Sequence, residues 1–121
     1  MPRAVLDESA IHPAVRDKVA SHQADIVREV QAAVAGHAVV VVGMAGNPWP
    51  VKARRALDAA GVSHHDLNYG GYLSDWRRRN ALKLWSGWPT FPMIFVKGQL
   101  VGGATDLQRL IDSGDLKRLL G

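Results

Sequence analysis

Apolar and polar positions follow two different periods along this chain. Between Pro13 and Ala35, Val15, Val19, Ile26, Val30 and Val34 recur near one helical face, with Arg16, Asp17, Asp25, Arg28 and Glu29 largely elsewhere. The spacing predicts one long amphipathic helix from about Pro13 to Ala35, with Pro13 in its first turn and Gly36 as its stop. Residues 1–12 form a poorly specified lead-in. Ala38 to Val42 is short, β-branched and bounded by glycine, which predicts a strand buried on both faces.

A second helix is expected over Pro48 to Ala60, with Val51, Ala53, Leu57 and Ala60 inward and Gly61 at its C-terminal end. Val62 to Asn68 reads as a short strand, and Gly70-Gly71 breaks the chain. A third helix, about Leu73 to Trp85, carries Trp76 into the core along with Leu82 and Trp85. Met93–Val96 and Gln99–Val101 are two strands turning at Lys97-Gly98, and Thr105–Ile111 and Gly114–Leu120 end the chain as one helix or two. The order α, β, α, β, α, β, β, α predicts a small mixed sheet covered by helices. Residues 1–36 then form an N-terminal extension with the amphipathic helix, and residues 37–121 an α/β domain.

Composition narrows the chemistry. At 121 residues and 47% hydrophobic, the chain suits one domain with its own core. It has no apolar run near bilayer length and no secretory signal, so the expectation is a cytoplasmic protein that does not engage membranes. It has no cysteine, which rules out a protein thiolate, a disulfide and any cysteine-ligated metal or iron–sulfur cluster from this chain. The net charge of +4 admits acidic partners. The run Trp76-Arg77-Arg78-Arg79 wraps a helix and makes no single basic stripe, so nucleic-acid binding is not expected. His64 and His65, adjacent on a strand, point to opposite faces, and no metal site is expected there.

The stretch VVVVGMAGNPWPVKARRAL, residues 39–57, runs a buried strand through a glycine turn into a helix. Asn47 is a strong N-cap type, and Pro48 and Pro50 fit the first turn, where a missing N–H costs little. The same proline pair strips donors from an end that would otherwise hold an anion.

From about Ala38 to Leu120 the chain resembles the glutaredoxin family of the thioredoxin fold. WPTFPMIFVKGQLVGG, residues 88–103, looks like that family's Trp-Pro-Thr-Phe-Pro stretch, hairpin and Gly-Gly turn. SGDLKRLL near the C-terminus and NPWPVKARRAL after the first strand fit the same frame. The resemblance implies an α/β, thioredoxin-like, three-layer α/β/α fold with a small mixed four-stranded sheet and an extra N-terminal helix. It sets Asn47 and Pro50 where the family carries Cys-Pro-Tyr-Cys, or a one-cysteine version, so thiol chemistry and cluster bridging are unavailable and no catalytic residue is assigned.

It also implies a groove for glutathione. Thr90, Phe91 and Pro92 would hold the tripeptide main chain, with Pro92 in the cis form. Thr105 and Asp106 would meet the γ-glutamyl end, Arg79 the glycine carboxylate, and Trp49 would replace the aromatic beside the active position. Met44 stands where a lysine is usual, so weakened glutathione binding is expected. The leading expectation is a redox-inactive protein, not an enzyme, that binds glutathione or a peptide or protein partner in this groove. One alternative is a transferase-type enzyme using the thiol of bound glutathione, polarised by Tyr69, Tyr72, Thr90 or Asn47. The other is an interaction module using the N-terminal helix and basic face, the helix stripe covering the domain's own sheet or a second copy in a homodimer.

Overall fold

A computed structural model describes residues 3–121, so the first two residues of the lead-in lie outside it. The helices are α1 (Pro13–Ser21), α2 (Ala24–Gly36), α3 (Pro48–Ala59), α4 (Trp76–Ser86), α5 (Ala104–Ser113) and α6 (Asp115–Leu120). The strands are β1 (Val39–Gly43), β2 (His65–Asn68), β3 (Met93–Val96) and β4 (Gln99–Gly102), ordered β2-β1-β3-β4 in a 4-stranded sheet. β1 runs parallel to β2 and antiparallel to β3, and β3 and β4 form the hairpin.

The two-residue period of the strands divides the core. Val40 and Val42 of β1 and Met93 and Phe95 of β3 face a layer built with Ile26, Val30, Ala81 and Leu82, from α2 and α4. Val39 and Val41, with Ile94 and Val96, face the opposite layer of Ala53, Leu57, Leu107 and Leu116, from α3, α5 and α6. All five residues of β1 are buried, which is why that strand reads as a continuous apolar run. The result is the expected three-layer α/β/α, thioredoxin-like arrangement with a mixed sheet.

Several local expectations are corrected. The single long N-terminal helix is two helices, broken at His22-Gln23, with Gln23 left-handed at φ 49°. A continuous helix over that span would be about 35 Å long, whereas the few strands beneath it cover roughly 15–20 Å. Only α2 therefore lies on the core, through Ile26 and Val30; α1 buries nothing, and Val15 and Val19 stay exposed. Trp76 begins α4 instead of entering the core and is 55% exposed, with Arg77 against its ring. Val51, expected inward, is exposed, because the inner face of α3 is set by Pro50, Ala53 and Leu57.

Charged side chains lock α2 and α3 in place. Tyr69 donates to Glu29 Oε1 at 2.5 Å, and Arg78 lies 3.7 Å from Asp25, tying α2 to the loop after β2 and to α4. On the other side of the sheet, His64 bridges Asp58 of α3 and Asp66 of β2, at 2.8 and 2.7 Å, with Arg54 Nε 3.6 Å from Asp66. Partial burial alone would lower the His64 pKa, but the bonds to Asp58 and Asp66 outweigh it and hold the ring above its ordinary value of 6.5. The folded chain thus binds this proton more tightly than the unfolded one. The stability from this bridge is complete below about pH 6.5 and is lost as pH rises through the raised folded value. The gap in unfolding free energy between wild type and His64→Gln is therefore expected to narrow in chemical denaturation as pH rises from about 6 through the raised folded value. A gap constant with pH would remove the charged bridge from the account.

Candidate functional site

The site lies at the sheet end where β1 leads into α3 and the loop before β3 meets the start of α5. Gly43, at the end of β1, is approached so closely by Pro50 that an added Cβ would lie 2.8 Å from its ring. Pro50 is itself buried. The proline at the expected second thiol position is thus a packing element that seats α3 against the strand.

Asn47 caps α3, its Oδ1 accepting from the Trp49 amide at 3.0 Å. Its Nδ2 donates across the cleft to the carbonyl of Phe91 at 3.2 Å. Pro48 and Pro50 have no N–H to offer. Of the first-turn positions of α3, two lack a donor and the third, Trp49, is spent on the cap. Pro48, Trp49 and Pro50 thus leave an anion no free first-turn amide.

Opposite it, α5 starts differently. Its first-turn residues Ala104, Thr105 and Asp106 keep their amides and have no carbonyl one turn back to pair with. The Asp106 carboxylate accepts from Gly103 N at 3.0 Å. Gly102, at φ 109°, must be glycine: an added Cβ would stand 2.6 Å from Asp106 Oδ2. Between the two helix starts runs Thr90-Phe91-Pro92, with the Phe91–Pro92 peptide cis.

These parts enclose a cleft of about 300 Å³. It brings together Trp49, Thr90, Phe91, Pro92, Thr105 and Asp106, and adds Trp88, Gly103 and Ala104. Trp49 is 48% exposed at its mouth, with Lys52 Nζ 4.2 Å from its ring centre, and Lys83 Nζ lies 5.8 Å from the Phe91 ring. The Trp88 indole N–H is buried and has no acceptor among the described residues.

Arg79 is not part of this cleft. It is 6% exposed, and its guanidinium donates to the carbonyls of Tyr69 at 2.9 Å and Ser74 at 2.5 Å. Since α4 begins at Trp76, position 79 falls on its inner face, where the charge closes the loop after β2 instead of facing a ligand. Met44 is likewise buried in the core.

Of the four groups considered for polarising a thiol, Tyr69 and Asn47 are occupied, while Tyr72 is exposed and Thr90 lines the cleft. Tyr69 is 5% exposed, packs under α2 and α4, and its hydroxyl pKa is driven far above ordinary by burial and by its bond to Glu29. Both polar atoms of the Asn47 side chain are engaged. Among the described residues no group of three or more histidine or acidic side chains is placed to hold a metal. No helix of the described residues is long and apolar enough to cross a membrane.

The chain is 38% identical over 96 residues to a glutaredoxin-like protein of Dictyostelium discoideum, covering 79% of this chain and 78% of that one. It is 41% identical over 64 residues to a probable monothiol glutaredoxin 2 of Rickettsia conorii, covering 53% of this chain and 57% of that one. Oxidized glutaredoxin 2 from Chlamydomonas reinhardtii superposes with a TM-score of 0.65 at 27% identity, over 81% of this chain and 92% of that structure. A buckwheat glutaredoxin–glutathione complex superposes at 0.70 with 18% identity, over 83% and 91%, a likeness of fold alone. The glutaredoxin family model matches residues 39–101. On this match and the Dictyostelium relative, over a fold whose strands and cleft fall inside the matched span, the chain belongs to the glutaredoxin family, with asparagine capping the helix where a cysteine would stand.

Proposed function

We propose that this protein is a redox-inactive member of its family that holds glutathione, or a peptide of similar backbone, in the cleft without acting on it. The observation that carries this is the contrast between the two helix starts: α3 is closed by Asn47 and its prolines, while α5 keeps its first-turn amides beside the open cleft. A ligand carboxylate is favoured at the start of α5 by those amides and the helix dipole. The Asp106 carboxylate beside it offers an ammonium a partner, so an amino-acid head of the γ-glutamyl type suits this end. The extended Thr90–Pro92 segment supplies main-chain groups to a peptide, and the unpaired Trp88 N–H leaves a buried donor in the cleft wall. The buckwheat glutaredoxin complex with glutathione adds support by likeness of fold.

With Arg79 turned to the loop carbonyls and Met44 in the core, fewer cations face the ligand, and affinity in the millimolar range is expected, about −4 kcal/mol. Titration with reduced glutathione, followed by amide NMR, is expected to shift Thr90, Phe91, Thr105 and Asp106 along one binding curve, with Arg79 little affected. Silence of those amides at about ten times the millimolar range would overturn the reading. The same sample is expected to reduce a mixed disulfide no faster than glutathione in buffer.

A further inference from the structure

We propose that the groove between α1, α2 and α4 binds a medium-chain fatty acid, its tail in an apolar trough and its carboxylate at Arg28 and His22. The site lies apart from the cleft and does not depend on the reading above. The groove has a volume of about 480 Å³, within the range of small-molecule sites. Ala24, Val27, Ala81 and Trp85 are buried or half-buried along it, whereas Val19 and Leu84 are 56% and 72% exposed. Alanine at 24 and 81 leaves the hollow between the helices, and Trp85 is braced on Phe95, with ring centres 5.9 Å apart. α1 buries no residue of its own and joins α2 through the break at His22-Gln23. A hydrocarbon tail in the trough covers Val19 and Leu84 together and gives α1 the apolar contact it lacks.

The polar part of the lining selects the head group. His22, Arg28 and Gln31 are the polar side chains along the groove, and all three can donate hydrogen bonds. Among the described residues, none of the three side chains has a hydrogen-bond or ion-pair partner, and no acidic residue lines the groove. Asp17 and Asp25 line a separate polar hollow that Arg28 also borders, and Asp25 is already paired with Arg78 at 3.7 Å. An apolar trough edged by unspent donors fits one polarity of amphiphile, a hydrocarbon tail with an anionic head. A carboxylate can take two parallel N–H bonds from the planar guanidinium of Arg28. An ammonium head finds no carboxylate in the lining and faces Arg28 as a like charge. No bond is made or broken, so the groove receives the fatty acid as a binder.

The test titrates the full chain with hexanoate, octanoate, decanoate, octanol and octylamine below their aggregation concentrations, followed by amide NMR. Octanoate is expected to shift Val19, Val27, Leu84 and Trp85, and to slow amide exchange in α1. Affinity should rise from hexanoate to decanoate by about two- to fourfold per added CH₂. Arg28→Gln is expected to weaken octanoate about fivefold, the scale of an ion pair near the surface, and to leave octanol unchanged. Leu84→Ser, at an exposed position, should weaken both while the fold is kept. Octylamine binding as tightly as octanoate would overturn the inference, as would an octanoate affinity untouched by Arg28→Gln or affinities independent of chain length. Silence of the groove amides overturns it as well. So do shifts confined to Thr90, Thr105 and Asp106, which place the ligand in the cleft instead.

Discussion

Asn47→Cys is expected to give this protein a thiol that ionises below the ordinary cysteine value of about 8.5, but only modestly so. The position is the N-cap of a 12-residue helix, where the dipole favours negative charge. Removing the asparagine also releases the Trp49 amide, which can then donate to sulfur. It is the single first-turn donor available, since Pro48 and Pro50 have none. Asn47→Cys/Pro50→Ser restores a second donor, and its thiol is expected to ionise at still lower pH and to react faster near neutrality. The pH dependence of alkylation by a haloacetamide reads both values directly. Glutathione-dependent reduction of a small mixed disulfide should rise above background in the single variant and further in the double. If both thiols titrate at or above about 8.5, the start of α3 is not a thiolate-stabilising end, and its closure by proline is not what separates it from a reactive one.

Leu107→Ala is expected to cost about 2–5 kcal/mol of unfolding free energy. Leu107 is fully buried, where α5 meets the sheet, in the cluster with Ala53, Leu57, Ile94, Val96 and Leu116. Truncation loses the transfer free energy of its side chain and leaves a cavity that strand and helix backbones on both sides cannot close. Against a total stability of about 5–15 kcal/mol, this is a large share, and a fall of about 10 °C or more in melting temperature should accompany it. The residue also anchors the helix that carries Thr105 and Asp106, so glutathione-induced shifts at those two residues should weaken in the variant. Leu119→Ala, at a position 38% exposed, is the control and should cost under about 1 kcal/mol. Equal losses for the two variants in urea denaturation would contradict this assignment of the core.

The elements most legible in the sequence are those whose burial is dictated by a short local pattern. The valines of β1 are buried on both faces, so hydrophobicity without alternation marked that strand as an inner one, and Met93–Val96 was legible as the first strand of a hairpin through its turn at Lys97-Gly98. Asn47 was legible as a cap because capping is a contact between residues two apart, Asn47 and Trp49. The first helix was misread because periodicity says which residues share a face and not how much surface is there to receive it. Val15 and Val19 keep the right spacing but lie beyond the sheet, in a helix with no buried residue.

The candidate site divides along the same line. Six of the seven residues inferred for it line one cleft, because the Thr90–Pro92 loop and the Gly102-Gly103 turn belong to a hairpin whose register is local. Arg79 left the group because its side chain answers to the carbonyls of Tyr69 and Ser74, an arrangement that depends on where α4 starts and how the preceding loop closes. Residue types, their order and the absence of cysteine were thus enough to determine the α/β architecture, the family and the loss of thiol chemistry. Only the tertiary structure decided that Asn47 also braces Phe91, 44 residues away, and that one helix start is closed while the other keeps its donors beside the cleft. Caps and strand patterns are short-range and repeat in sequence; the partner of a side chain across a cleft is set by the packing of the whole sheet, and no spacing along the chain records it.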